Sequence, residues 1–129
     1  MKSERCIIID KGTSFHSIAV SHLVYVEADG NYTDFHMRDE ENKFSMTMQL
    51  GEVEDIIDKS RGVDNFARVG RSLIVNLDYV RSIDLSKDRF VLADNISFKK
   101  DLEASHKALM GLKVAVEERV KKIRRSNDE

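Results

Sequence analysis

The segment Leu23-Val24-Tyr25-Val26-Glu27-Ala28-Asp29-Gly30-Asn31-Tyr32-Thr33-Asp34-Phe35-His36-Met37 reads as two strands joined by a tight turn. Its first four residues are leucine, β-branched or aromatic and apolar on both faces, which suits a central strand. Asp29-Gly30-Asn31 supplies residues that tolerate positive φ, as a short reversal requires. Beyond the turn, Thr33, Phe35 and Met37 alternate with Tyr32, Asp34 and His36, the period of a half-buried strand.

The same grammar extends in both directions. Ile7-Ile8-Ile9 is a short apolar run stopped by Asp10-Lys11-Gly12. Phe44, Met46, Met48 and Leu50 point one way while Ser45, Thr47 and Gln49 point the other. Val53, Ile56 and Ile57 then change the period to helical, which predicts a short helix to about Lys59. Phe66 to Val69 is a further strand. Ser82 to Leu85 and Arg89 to Leu92 flank Ser86-Lys87-Asp88 as a hairpin, and Asp94-Asn95 makes a turn before Ile96-Ser97-Phe98. From about Lys100 the pattern is read as helical. Short strands punctuated by turns at intervals of roughly 8–12 residues predict a mainly β fold. The expectation is an elongated β-sandwich-like stack with one short internal helix and a C-terminal helix.

Composition narrows the class. The 129 residues are 41% hydrophobic and 34% charged, without proline, which suits one soluble globular domain. No apolar run approaches the ~18 residues of a membrane span, and the three isoleucines near the start are too few for a signal peptide. The single cysteine, Cys6, cannot form an internal disulfide, so a cytoplasmic location is expected. The net charge of −2 conceals an asymmetry. Residues 1–60 carry 6 Lys/Arg against 12 Asp/Glu, whereas residues 61–129 carry 15 against 11. Phosphate binding needs a local cationic surface rather than a cationic protein, so the balance permits a nucleic-acid partner.

Three segments, in order, resemble the LytTR family of bacterial DNA-binding transcription regulators. The first is Val24-Tyr25-Val26-Glu27-Ala28-Asp29-Gly30-Asn31-Tyr32-Thr33. The second is Phe66-Ala67-Arg68-Val69-Gly70-Arg71-Ser72-Leu73-Ile74-Val75-Asn76-Leu77. The third comprises the strands around Ile83 and Val91-Leu92 and then Ile96-Ser97-Phe98-Lys99-Lys100. The resemblance covers roughly residues 13–106, leaving 1–12 as a lead-in strand and 107–129 as a helical extension with a basic tail. It implies a stack of short strands that grips double-stranded DNA with loops, two entering successive major grooves and one lying over the minor groove between. The matching loops are Gly30–Thr33, Gly70–Ser72 and Ser97–Lys100. The DNA-binding residues it implies are Asn31, Thr33, Arg68, Arg71, Ser72, Lys99 and Lys100.

Side-chain chemistry agrees with these roles. Arg71 offers a planar fork suited to a guanine edge, phosphates or a narrow minor groove. Lys99 and Lys100 supply point charges for phosphate or a guanine acceptor. Asn31 can pair with adenine, and Thr33 can touch a thymine methyl or a phosphate. Arg68 adds phosphate contact or braces the loop. Where the resemblance implies a histidine in many members, this chain has Gly70, which removes one contact and is expected to loosen the loop.

Plainer readings stand beside these. Gly30 and Asn31 make a hairpin turn whatever else they do, and the asparagine side chain either closes that turn or meets DNA. Arg68, Arg71, Lys99 and Lys100 taken singly are ordinary surface cations. Asn76 satisfies backbone groups more readily than it touches DNA. His16, His22, His36 and His106 lack the spacing of metal ligands, and no nucleophile motif or phosphate-binding glycine loop appears. Neither enzyme activity, nor a metal, nor a cofactor is expected. The alternative to DNA binding is a non-catalytic interaction module on the same fold, which the acidity and Gly70 favour.

Leu102, Leu109, Val116 and Ile123 recur every seven residues, with Gly111 as a candidate break. This helix is read as packed on its own domain, the rival being self-association. The chain reads as free-standing, without room for the receiver domain that the resemblance sets ahead of such DNA-binding domains. Its control then falls to abundance, a regulatory protein partner or a ligand. A second copy on paired DNA sites completes the expectation.

Overall fold

The computed structural model describes residues 5–127. Ten strands and two α-helices succeed one another along the described chain. They are β1 (Cys6–Asp10), β2 (Phe15–Ala19), β3 (Leu23–Asp29), β4 (Tyr32–Met37), β5 (Phe44–Met46), α1 (Leu50–Lys59), β6 (Phe66–Val69), β7 (Leu73–Asn76), β8 (Val80–Asp84), β9 (Arg89–Ala93), β10 (Lys99–Glu103) and α2 (His106–Asn127). All strand pairs are antiparallel. The central sheet has the order β5-β4-β3-β7-β6, flanked by a β1-β2 hairpin and a β10-β9-β8 sheet.

Both faces of the central sheet are covered, which explains why Leu23–Val26 of β3 is apolar on both sides. Val26, Phe35 and Ile74 face a core shared with Ile7, Ile9 and Ile18 of the hairpin and with Val53 and Ile57 of α1. Tyr25, Leu73 and Val75 face the second core, closed by Phe90 and Leu92 of the three-stranded sheet and by Leu109 and Leu112 of α2. The mainly β stack expected from the strand pattern is the fold observed. Asn76 is buried between layers, donating from Nδ2 to the carbonyls of Val20 and Leu23 at 3.2 and 2.9 Å. Its Oδ1 accepts from the Asp78 amide at 3.0 Å.

The chain departs from the sequence reading at several places, one being the 44–50 alternation, which is a strand only over Phe44–Met46 before Leu50 opens α1. Phe15–Ala19 is a strand that the sequence reading passed over, and it pairs residue for residue with β1. Residues 99–103 form β10 rather than a helix start, so Leu102 belongs to a sheet and not to the heptad series. A short charged stretch with Leu102 as its one apolar residue carries no periodicity that separates strand from helix, and pairing with β9 settles it. Helix α2 begins at His106 and runs through Gly111 without interruption. It is capped by Ser105, whose Oγ accepts from the Ala108 amide at 3.2 Å. Arg119 anchors it to Asp64 and Asp78, at 2.6 and 3.4 Å.

Candidate nucleic-acid interface

Asn31 and Arg71 project from hairpin tips at one end of the central sheet. The β3–β4 turn is a two-residue loop, Gly30-Asn31, with Asp29 opposite Tyr32. Gly30 has φ +61°, the positive value that a tight hairpin asks of its first central residue. The β6–β7 turn is Gly70-Arg71-Ser72, with Val69 opposite Leu73. Because Glu27 pairs with Leu73, the two tips lie side by side. The Ala28 amide closes the gap, donating to the Ser72 carbonyl at 2.8 Å.

The second tip is braced from beneath. Arg68 donates from Nε to the Gly70 carbonyl at 3.1 Å and from Nη2 to the Arg71 carbonyl at 2.9 Å. Its Nη1 meets Glu54 of α1 at 3.1 Å. Arg68 therefore braces the loop. Gly70 has φ +63°, so the glycine fits a left-handed backbone position. The expected loosening of the loop is corrected by this geometry, since the guanidinium holds both neighbouring carbonyls. Asn31, Arg71 and Ser72 are exposed. No side-chain hydrogen bond or ion pair joins them to other described residues.

The first turn of α2 reaches the same end, and the sequence reading did not include it. A Cβ placed on Gly70 would stand 3.7 Å from the Ala108 Cβ. The exposed His106 and Lys107 precede Ala108 in this turn. His106 also ties α2 to the β8–β9 turn, with Nδ1 3.3 Å from the Leu85 carbonyl. The available signal was the Ser105 cap followed by an apolar periodic run, a helix start that places its N–H groups and cations together.

Three residues implied by the resemblance lie elsewhere. Thr33 is fully buried, and its hydroxyl donates to the Met48 carbonyl at 2.6 Å. A side chain bonded inside the core offers DNA nothing, so Thr33 is corrected from contact to core residue. Lys99 and Lys100 begin β10, opposite Ala93 and Leu92, at the end of that strand remote from Ser105. Arg38, just past the end of β4, meets Asp94 at 3.3 Å, so this region lies at the end of β4 away from Asn31. Six residues of extended strand separate those ends, roughly 17 Å. Lys100 is paired with Glu40 at 2.7 Å, whereas Lys99 is exposed. Beside them a hollow of about 610 Å³ is lined by Arg38 with Asp39, Glu40 and Glu41, an acidic setting for a phosphate.

Asp94 organises the loop before β10. Its carboxylate accepts from the amides of Ile96, Ser97 and Phe98 at 2.9, 2.7 and 3.1 Å, and from the Ser97 hydroxyl. The Ser97 hydroxyl first, and then these amides, hold the Asp94 carboxyl well below the usual carboxylate range. On the β3–β4 ribbon, burial and the Glu27 carboxylate push the Tyr25 phenol up to about 12. Burial also lowers the pKa of His36, which stacks on Tyr25 with ring centroids 4.1 Å apart.

Together these features define a β-stack domain that presents polar hairpin tips and a helix start on one end. The family model for the LytTr DNA-binding domain matches residues 13–116. The chain belongs to this LytTR family of DNA-binding domains. A solved LytTr DNA-binding domain from Bacillus cereus is similar in fold, with a TM-score of 0.59 at 20% identity. That likeness covers 88% of this chain and 98% of the other. No curated protein matches the sequence. No helix among the described residues is long and apolar enough to cross a membrane.

Proposed function

We propose that this chain is a sequence-specific transcription regulator that reads double-stranded DNA with the two adjacent hairpin tips and the first turn of α2. The observation that carries the reading is the unpaired Arg71 side chain on a loop whose own backbone is clamped by Arg68. A fixed loop with an unengaged guanidinium loses little freedom on binding, so more of the contact energy appears as affinity. Arg71 and Asn31 are the reading side chains. Ser72 and Lys107 hold phosphates, and the positive N-terminal end of α2 adds to their attraction. Two copies occupy paired half-sites about one helical turn apart, roughly 34 Å, on one face of the duplex.

Selection of bound duplexes from a random pool with the purified chain tests the proposal. Enrichment of a defined sequence, with binding that weakens steeply as salt rises, is the expected result. Absence of retention on any duplex at low salt overturns it in favour of a protein-interaction module.

A further inference from the structure

We propose that Glu27, Asp34 and His36 form a binding site for a divalent transition-metal ion, with zinc the best match to their donor set. The three sit on one face of the β3–β4 ribbon. Glu27 is the register partner of Asp34, and Tyr25 is the partner of His36. One ligand atom from each lies within 4.8 Å of the others. Sequence spacing conceals the set, because Glu27 joins it across the strand pair.

The observation that points to a ligand is His36. It is only 7% exposed, Nδ1 has no hydrogen-bond partner, and Nε2 makes no hydrogen bond of good geometry, with only the Glu27 carboxylate near it. A buried, unsatisfied polar group is costly, and native proteins usually supply the missing partner. Its Nε2 faces Glu27 Oε1 at 3.4 Å. Ligands about 2.1 Å from a tetrahedral ion stand roughly 3.4 Å apart, so this pair already has the required spacing. Asp34 completes the set by a small rotation. Its Oδ1 accepts from the Ser45 hydroxyl at 2.5 Å, which orients the carboxylate.

The chemistry selects the ion. One imidazole with two carboxylates is a mixed nitrogen and oxygen set, which favours zinc and its neighbours over calcium or magnesium. Two carboxylates on adjacent strands repel each other, and a dication removes that repulsion while cross-linking the ribbon. Glu27 and Asp34 are both partly exposed, leaving a route for the ion to enter. The site stiffens the ribbon whose tip carries Asn31.

Calorimetric titration of the chelator-treated full chain with zinc chloride decides the matter, without DNA present. One ion per chain is expected, with a melting temperature raised by about 5 °C or more at a hundredfold excess over Kd. Glu27→Gln and Asp34→Asn should each weaken binding at least about tenfold while leaving the metal-free melting temperature near its original value. His36→Phe, which keeps the stack on Tyr25, should abolish binding. If that variant fails to fold, the two carboxylate variants carry the test. Cys6→Ser should leave Kd unchanged. No binding, or binding that survives both carboxylate changes, or binding lost in Cys6→Ser, overturns the proposal.

Discussion

Arg68 holds Arg71 by its main chain: the Arg68 Nη2 donates to the Arg71 carbonyl at 2.9 Å, while the Arg71 side chain stays exposed. One arginine thus fixes the backbone from which the other reaches outward. On the proposed reading the arrangement separates a positioning residue from a contacting residue three positions apart, and the two should respond differently to truncation.

Arg71→Ala is expected to weaken specific DNA binding by about 1–3 kcal/mol and to leave the melting temperature unchanged. Arg68→Ala should lower both, since it releases two loop carbonyls and the Glu54 contact, with a stability loss of about 1 kcal/mol. Affinity and melting curves measured on both variants check this. Equal profiles for the two would refute the division of labour.

Lys107 and Lys100 should part company in a salt titration. Removing a phosphate contact lowers the slope of log affinity against log salt by about one. Lys107→Ala is expected to do so, because this exposed lysine adjoins Ala108, which stands against Gly70 of the braced tip. Lys100→Ala is expected to leave the slope unchanged, because Glu40 already engages it at 2.7 Å. The reverse pattern would move the interface to the other end of the sheet.

Thr33→Val should cost stability and spare DNA affinity. The substitution removes the buried hydroxyl that bonds the Met48 carbonyl and leaves that carbonyl unsatisfied. A loss of about 1–3 kcal/mol follows. Denaturant unfolding gives the stability change directly. A fall in affinity at temperatures where the variant is fully folded would restore Thr33 as a contact.

Asp94 predicts a pH dependence. Its folded-state pKa lies below the ordinary value of 3.8, so the unfolded chain takes up its proton first as pH falls. The stability it contributes is fully present above pH ~5 and is lost progressively as pH drops through about 4 and below. The melting temperature of the natural chain should therefore exceed that of Asp94→Asn at pH 7. The difference should narrow steadily toward pH 3. A constant difference across that range would show that the carboxylate charge is not what holds the loop.

The sequence by itself determined the family and the strand grammar outside β2 and β10. Alternation in 32–37 and the doubly apolar 23–26 are local signals, because side chains alternate faces along any strand. Gly30 likewise announced a turn that only a few residue types can make. What the tertiary structure decided is which of the polar residues face outward and which stand together. Thr33 lies two residues from an exposed hairpin tip, yet packing against residues 46–48 buries it. Arg68 and Arg71 carry the same side chain, and only the fold assigns one to the loop carbonyls and leaves the other without a side-chain partner among the described residues. Ala108 meets Gly70, and Glu27 meets His36, through contacts between elements distant in sequence or across a register. Such juxtapositions depend on how layers stack, which one chain's local periodicity does not encode.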